Sequence, residues 1–426
     1  SKSPTAFHAV ENYRQILNAD GFKELLESEH WDIVPGGKYY VTRNNTSILA
    51  FKVGTKLDNY SFNIVTSHTD SPTFKVKENA EIEVKNKYTQ LNTEGYGGML
   101  CATWLDRPLS IAGRVLVSEG NSIVTKLLNI DRDLLMIPNV AIHMNRAAND
   151  GFKYNLQVDM LPLLSGGDDR QKDFKQIIAD ELGVKKEDIL GHDLYLYNRM
   201  APSIWGANEE FISSGHLDDL QCGFASLKAL LAGYNDESID IMACFDNEEV
   251  GSGTKQGADS TLLRDTLIRI NNALGKTEED YHRALASSFM LSADNAHAVH
   301  PNHPEHTDVT NCTYMNEGVV VKSHAGQKYT SDGVSMAVVK SLASGADVPL
   351  QYFANRSDKA GGSTLGNIAM AQASMNAVDI GLPQLAMHSS YETAGIKDTY
   401  YAIALMKALF DSHIQETSTH SLEIKR

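Results

Sequence analysis

The segment Phe62-Asn63-Ile64-Val65-Thr66 is a short, nearly continuous apolar run that ends in Ser67-His68-Thr69-Asp70. A strand that is apolar on both faces must be covered on both faces, which is the signature of a layered α/β sheet. Similar runs recur at residues 239–245, 289–293 and 385–387, and extended segments are expected at 39–43 and 47–53. Helical periodicity lies between them. Thr5 caps a first helix with Val10, Tyr13 and Leu17 on one face and Gly21 at its end. A second helix carries Leu220, Phe224, Leu227 and Leu231 on one face, and others are expected at 334–342 and 400–410. Strand–helix alternation of this kind argues for an α/β layered fold.

The texture changes between about residues 81 and 197. Strand-like runs at 111–117 and 123–130 flank the turn Ser118-Glu119-Gly120-Asn121. One helix interrupts, with Phe174, Ile177, Ile178 and Leu182 on one face and Gly183 closing it, and a strand follows at 194–197. This predicts a β-rich domain, 85–212, inserted into an α/β domain built from 1–84 and 213–426. The tail beyond His413 is polar and is expected to fray.

Composition narrows the function. The 426 residues carry 38 Lys and Arg against 54 Asp and Glu, a net charge of −16. With no basic stripe, the chain is a poor nucleic-acid binder. No apolar run reaches the roughly 18 residues of a membrane span, and no secretory signal is expected in residues 1–10. A processed start stays open. The four cysteines, Cys101, Cys222, Cys244 and Cys312, form no CxxC pair and fit a reducing cytoplasm.

Each apolar run ends in residue types that bind metals. The first leads to His68 and Asp70. The 239–245 run leads to Asp246, Asn247, Glu248 and Glu249, then to Gly251-Ser252-Gly253. The other two lead to Asp294 and His388, and Asp218-Asp219 stands just before a helix. Open α/β sheets build their sites beyond the carboxyl ends of the strands. Residues i and i+2 of an extended segment point the same way, so His68 and Asp70 converge. Two imidazoles and several carboxylates in one cleft suit zinc or a similar divalent ion. The same residues also serve as turn and cap residues, and no short pattern such as HExxH ties them together. Glu248-Glu249 is the sharper signal. Adjacent carboxylates after an apolar strand repel, and a cation or a proton relieves them. One ligates while its neighbour takes a proton from the attacking water, or both are solvated loop residues.

Other features carry less. Gly275-Lys276-Thr277 lacks the upstream glycine of a phosphate loop, and Gly251-Ser252-Gly253 lacks the third glycine of a dinucleotide turn. Gly361-Gly362-Ser363 fails the nucleophile elbow at Leu365. His300, His303 and His306, with two prolines, read as a solvated or structural loop. His143, after Val140-Ala141-Ile142, reads as a strand histidine, and Lys322 as a strand-end lysine unless an anionic ligand needs it.

Several longer motifs run in order along the chain. They are Ser3-Pro4-Thr5-Ala6-Phe7-His8-Ala9-Val10, His68-Thr69-Asp70-Ser71-Pro72, Tyr96-Gly97-Gly98 with Thr103-Trp104-Leu105-Asp106-Arg107, and Asp246-Asn247-Glu248-Glu249-Val250-Gly251-Ser252. Ser292-Ala293-Asp294-Asn295-Ala296-His297-Ala298-Val299-His300-Pro301-Asn302 and Met387-His388-Ser389 complete them. With these the chain resembles the aspartyl aminopeptidase and aminopeptidase I family of dinuclear zinc metallopeptidases. The resemblance implies a layered, zinc-exopeptidase-like catalytic domain with an inserted β-rich dimerisation domain. It implies two zinc ions per subunit, replaceable by cobalt or manganese, with ligands His68, Asp218, Glu249, Asp294 and His388 and with Asp218 bridging. Asp70 would orient His68, and Glu248 would be the general base. Where the family usually has Arg-Leu-Asp-Asn, this chain has His216-Leu217-Asp218-Asp219.

The resemblance further implies a tetrahedral dodecamer in which His143 reaches a neighbouring subunit's site. A lysine matching Lys322 would lie near the substrate side-chain pocket. The implied activity is release of the N-terminal residue from peptides with a free α-amine, with Asp or Glu preferred. Preference for neutral residues, or a related deacylase or carboxypeptidase activity, is the alternative.

Overall fold

The computed structural model describes residues 2–426. A nine-stranded mixed sheet forms the centre. Its order is Lys23–Leu25, Lys38–Arg43, Ser47–Val53, Ser238–Phe245, Ser61–His68, Phe289–Ala293, Asn376–Gly381, Val319–Lys322 and Leu350–Phe353. The four strands from Ser238–Phe245 to Asn376–Gly381 run parallel, so their carboxyl ends open on one edge. Every residue of Ser61–His68 and Ser238–Phe245 is buried, as apolarity on both faces requires.

Period-two alternation assigns these side chains to two cores. Ile239, Ile241, Ala243 and Phe245 pack with Leu263, Leu267 and Ile270 from the helix Leu262–Ala273. Met242 and Cys244 face the opposite layer, with Val10 and Leu17 of Ala6–Ala19, Ala225 and Leu230 of Leu217–Ala232, and Leu405 and Leu409 of Asp398–Phe410. The expected layered α/β fold is therefore present.

The second sheet is antiparallel and six-stranded, in the order Ser122–Asn129, Leu109–Glu119, Ile189–Asn198, Thr73–Val84, Tyr88–Tyr96 and Leu163–Gly166. It has its own core around Trp104, Ile111, Phe174 and Leu194. Its strands begin at Thr73, before residue 85, and end at Asn198, short of residue 212. Thr73–Val84 is only half buried and pairs with Tyr88–Tyr96 across the three-residue turn 85–87, which places it in the second sheet. Ser203–Trp205 and Phe211–Ser214 instead join Glu392–Gly395, Pro383–Leu385 and Ala296–His297 in a small five-stranded sheet.

Three local expectations change. The tail is not frayed: His413–Ser418 and Ser421–Lys425 form a hairpin, with Ile414 buried and Leu422 and Ile424 packed on the core. Its short alternating apolar residues were too few to stand out from the polar background. Phe224 is exposed, because its helix buries the Cys222, Ala225 and Ala229 side instead. Residues 386 and 387 are not strand: Pro383–Leu385 ends before them, and Ala386 and the following His388 adopt left-handed backbone, with φ of 55° and 65°.

The hairpin gives a direct test. Ile414→Ala should cost about 2–5 kcal/mol, as for a buried aliphatic side chain. Ile123→Ala, at a residue 66% exposed, should stay within about 0.5 kcal/mol of the parent. Denaturant unfolding of the two variants separates a packed tail from a frayed one.

Candidate active site

The parallel strands deliver their polar ends to one place. His68 is the last residue of Ser61–His68, and it is buried. Its Nδ1 donates to the backbone carbonyl of Asp70 at 3.0 Å. That leaves Nε2 aimed at Asp218 Oδ1 (3.5 Å) and Asp294 Oδ1 (3.8 Å). His388 is arranged in the same way. Nδ1 donates to the Gly98 carbonyl at 2.6 Å, and Nε2 lies 3.3 Å from both Asp218 Oδ2 and Glu249 Oε1. An imidazole whose one nitrogen is held by a carbonyl presents the lone pair of the other, as a metal ligand must.

Asp218 thus lies between the two imidazoles, one oxygen toward each. With His68 and Glu249 it forms one group of converging ligand atoms, and with Asp219 and Asp294 another, each within 4.8 Å. Asp218 Oδ1, Asp219 Oδ1 and Glu249 Oε1 are buried and take no hydrogen bond among the described residues. Buried carboxylate oxygens without donors are costly, and a divalent ion satisfies them. Two imidazoles with these carboxylates are a donor set that fits zinc.

The carboxyl groups crowd one another. Burial works against ionised Asp218, but His388 and His68 hold its carboxyl well below the usual range. Burial and then Asp218 push Glu249 well above it. Burial pushes Glu248 up to about 7, with Asp294, Asp70 and Asp218 adding to the rise and His68 opposing it. Among the described residues the Glu248 carboxylate has no hydrogen-bond or ion-pair partner, so it is free to exchange a proton.

Asp70 touches His68, as expected, and has a second task. Its carboxylate accepts the backbone N–H groups of Glu248 (3.1 Å) and Glu249 (3.2 Å), and its Oδ1 is 3.4 Å from His68 Nδ1. The His68 ring is held more closely by the Asp70 carbonyl. One residue therefore fixes both the imidazole and the glutamate loop. That loop leaves the sheet through Asn247 in left-handed backbone (φ 62°), which asparagine tolerates better than most residues.

Lys322 is buried, with Nζ 2.8 Å from the Asn295 carbonyl and 3.8 Å from Asp294 Oδ2. It borders the cluster rather than ending in solvent. His143 is not on a strand. It lies in an exposed run of turns beside Val140, Ile142 and Met144, and has no contact with the cluster in its own chain. Turn-forming Asn139 and Asn145 on either side break the extended pattern that Val140-Ala141-Ile142 suggests.

Glu392 escapes sequence reasoning, and Asp219 and Tyr96 appear there without the roles that the structure gives them. Glu392 is buried, and its two oxygens accept the N–H groups of Asp218 (3.0 Å) and His388 (2.8 Å). It offsets the strain of left-handed His388 by fixing its amide. Asp219 accepts the N–H of His68 at 3.1 Å. Tyr96, at the end of an insert strand, donates its hydroxyl to Asp70 Oδ2 (2.7 Å) and accepts from Asn247 Nδ2 (2.8 Å). Next to it Gly97 has φ +76°, and a Cβ there would come within 3.1 Å of Glu249 Cβ. Apart from the local bond between His388 and Glu392, these contacts join residues 26 to 174 positions apart, so no local pattern announces them.

The model of the "Aminopeptidase I zinc metalloprotease (M18)" family matches residues 1–410. The chain belongs to this family. A probable M18 family aminopeptidase 2 of Clostridium novyi is 48% identical over 416 residues, covering 96% of each chain. A probable M18 family aminopeptidase 2 of Clostridium acetobutylicum is 48% identical over 405 residues, covering 94% of each. Among solved structures, a chain of the cryo-EM structure of the Ape4 and Nbr1 complex superposes with a TM-score of 0.92 at 35% identity, covering 96% of this chain and 83% of that one. The mApe1 dodecamer of S. cerevisiae gives 0.84 at 28% identity, covering 96% and 94%. This M18 chain is accordingly a hydrolase and an aminopeptidase. Among the described residues no helix is long and apolar enough to cross a membrane.

Tyr96→Phe tests the link from the insert to the site. It removes one hydrogen bond to a charged acceptor, worth about 1.5–3 kcal/mol. We expect kcat to fall about 10- to 100-fold with KM and metal content little changed.

Proposed function

We propose that this M18 chain releases the N-terminal residue from peptides with a free α-amine, using two zinc ions per subunit held by His68, Asp218, Glu249, Asp294 and His388, with Asp218 bridging. The observation that carries this reading is the set of buried, unpartnered carboxylate oxygens converging with two correctly presented imidazoles. Zinc, when bound there, supplies Lewis acidity that polarises the scissile carbonyl and acidifies water.

The chain's own residues do the rest. Glu248 accepts the proton of the attacking water on its carboxylate and returns it to the leaving amine nitrogen. Burial, which favours the protonated form of Glu248, helps it hold the proton between the two steps. Asp70 keeps Glu248 and Glu249 in register with His68. Glu392 does the same for Asp218 and His388.

The insert is the oligomerisation domain in this reading, and the assembly a homo-oligomer of dodecameric form, as in the mApe1 structure. Support comes from the apolar side chains that the turns around His143 expose, with Met144 84% exposed. A patch of that kind marks a protein–protein contact. His143 would then donate a hydrogen bond to the substrate carbonyl in a neighbour's site. We assign the chain to the cytoplasm on its free cysteines.

Preference for N-terminal Asp or Glu rests on Lys322, a cation beside the cluster. A neutral preference is the second reading, favoured by the Asn295 and Asp294 partners that already engage its ammonium.

Two experiments test these assignments. Glu248→Gln should lose about 10²- to 10⁴-fold in rate with metal retained. Mixing it with His143→Ala under subunit exchange should restore activity, because a hybrid site combines an intact residue from each chain. Mixed oligomers without recovery would return His143 to an ordinary surface role. Separately, acidic aminoacyl substrates should be cleaved faster than leucyl ones, by about one to two decades if a buried charge-assisted pair forms. An acidic-to-neutral ratio that Lys322→Met leaves unchanged would end that assignment.

A further inference from the structure

We propose a second metal site, separate from the catalytic cluster, in the loop that carries His300, His303, Glu305 and His306. The backbone there turns in steps of three. His303 N–H donates to the His300 carbonyl (3.0 Å), and His306 N–H to the His303 carbonyl (3.2 Å), the latter closing the 3₁₀ turn Pro304–His306. In such turns side chains at i and i+3 eclipse one another. The imidazoles consequently stand in a row. The rings of His300 and His303 are 5.4 Å apart, and those of His303 and His306 are 5.3 Å apart and stacked at 30°.

Glu305 closes the group. Its Oε1 lies 3.0 Å from His303 Nδ1 and 3.9 Å from His306 Nε2, and the three ligand atoms fall within 4.8 Å of one another. An ion with zinc–nitrogen bonds of about 2.0–2.1 Å in tetrahedral geometry needs its donors about 3.4 Å apart. The present spacings bracket that value, so only small rotamer changes are required. His300, whose ring centre is 5.4 Å from that of His303, offers a further donor. Its Nδ1 accepts the Asn302 N–H at 3.2 Å, which leaves Nε2 for an ion.

The loop is also preorganised. Pro301 and Pro304 restrict it, and the Arg356 guanidinium donates to the Glu305 carbonyl. Ligands already held near their bound positions lose less entropy on binding. Imidazole with one carboxylate selects a borderline divalent ion of the zinc, nickel or copper class over magnesium or calcium. His300 and His306 also line a cavity of about 280 Å³ with His297, Arg356 and Met387, the residue before the catalytic-cluster imidazole His388. An ion here would brace the rim next to that cluster without joining it.

Zinc itself is the probe, with holoenzyme already carrying its catalytic ions. Equilibrium dialysis against a zinc buffer, with metal counted per chain, should give one equivalent more for the parent than for His303→Ala or His306→Ala. These side chains are 58% and 62% exposed, so the variants should fold and keep the parent's peptidase rate. His282→Ala is the control, since His282 is another exposed imidazole beside a glutamate, 3.9 Å from Glu278, but lacks the row. It should keep the full count. Equal zinc in the parent and in His303→Ala, or the same loss in His282→Ala, would overturn the site.

Discussion

Mutual repulsion among buried carboxylates governs the centre of this protein. Asp218, Asp219, Glu249 and Asp294 meet beyond the ends of parallel strands, where water is largely excluded, and two imidazoles and Lys322 oppose them. Like charges at such distances cannot all ionise without a partner. Cations bound here would therefore add to the stability of this region as well as take part in the proposed chemistry. That ties the fold to the family's description as a zinc metalloprotease.

Around this centre the structure uses main-chain donors and acceptors to fix side chains. Asp70 and Glu392 act as paired clamps, each accepting two backbone N–H groups from segments that carry proposed ligands. The carbonyls of Asp70 and Gly98 fix the tautomers of His68 and His388. Because Tyr96 ends a strand of the second sheet and Gly98 follows it, that sheet helps shape the proposed metal cluster even within one chain. Gly97 permits this approach, since a side chain there would press on Glu249.

The layered fold was legible because its signal is local. Residues 62–66 and 239–245 are apolar on both faces, and helices with a single apolar stripe follow them. Harder to read were the limits of the insert. Thr73–Val84 alternates like any half-exposed strand, and only pairing decides which sheet it joins. His143 and His388 both follow short apolar runs that look extended, yet one lies in a turn and the other in left-handed backbone.

The sequence by itself determined which residue types stand at the strand ends and, through its ordered motifs, the family. Periodicity and composition are properties of neighbours along the chain, so they are written there. Only the tertiary structure decided that His68, Asp218, Glu249, Asp294 and His388 converge. It alone revealed Glu392, Asp219 and Tyr96 as their supports, and lined up three histidines with Glu305 on a loop that composition marked as solvated. The reason is that coordination depends on distances between side chains far apart in sequence, and these are set by how the sheets pair and pack.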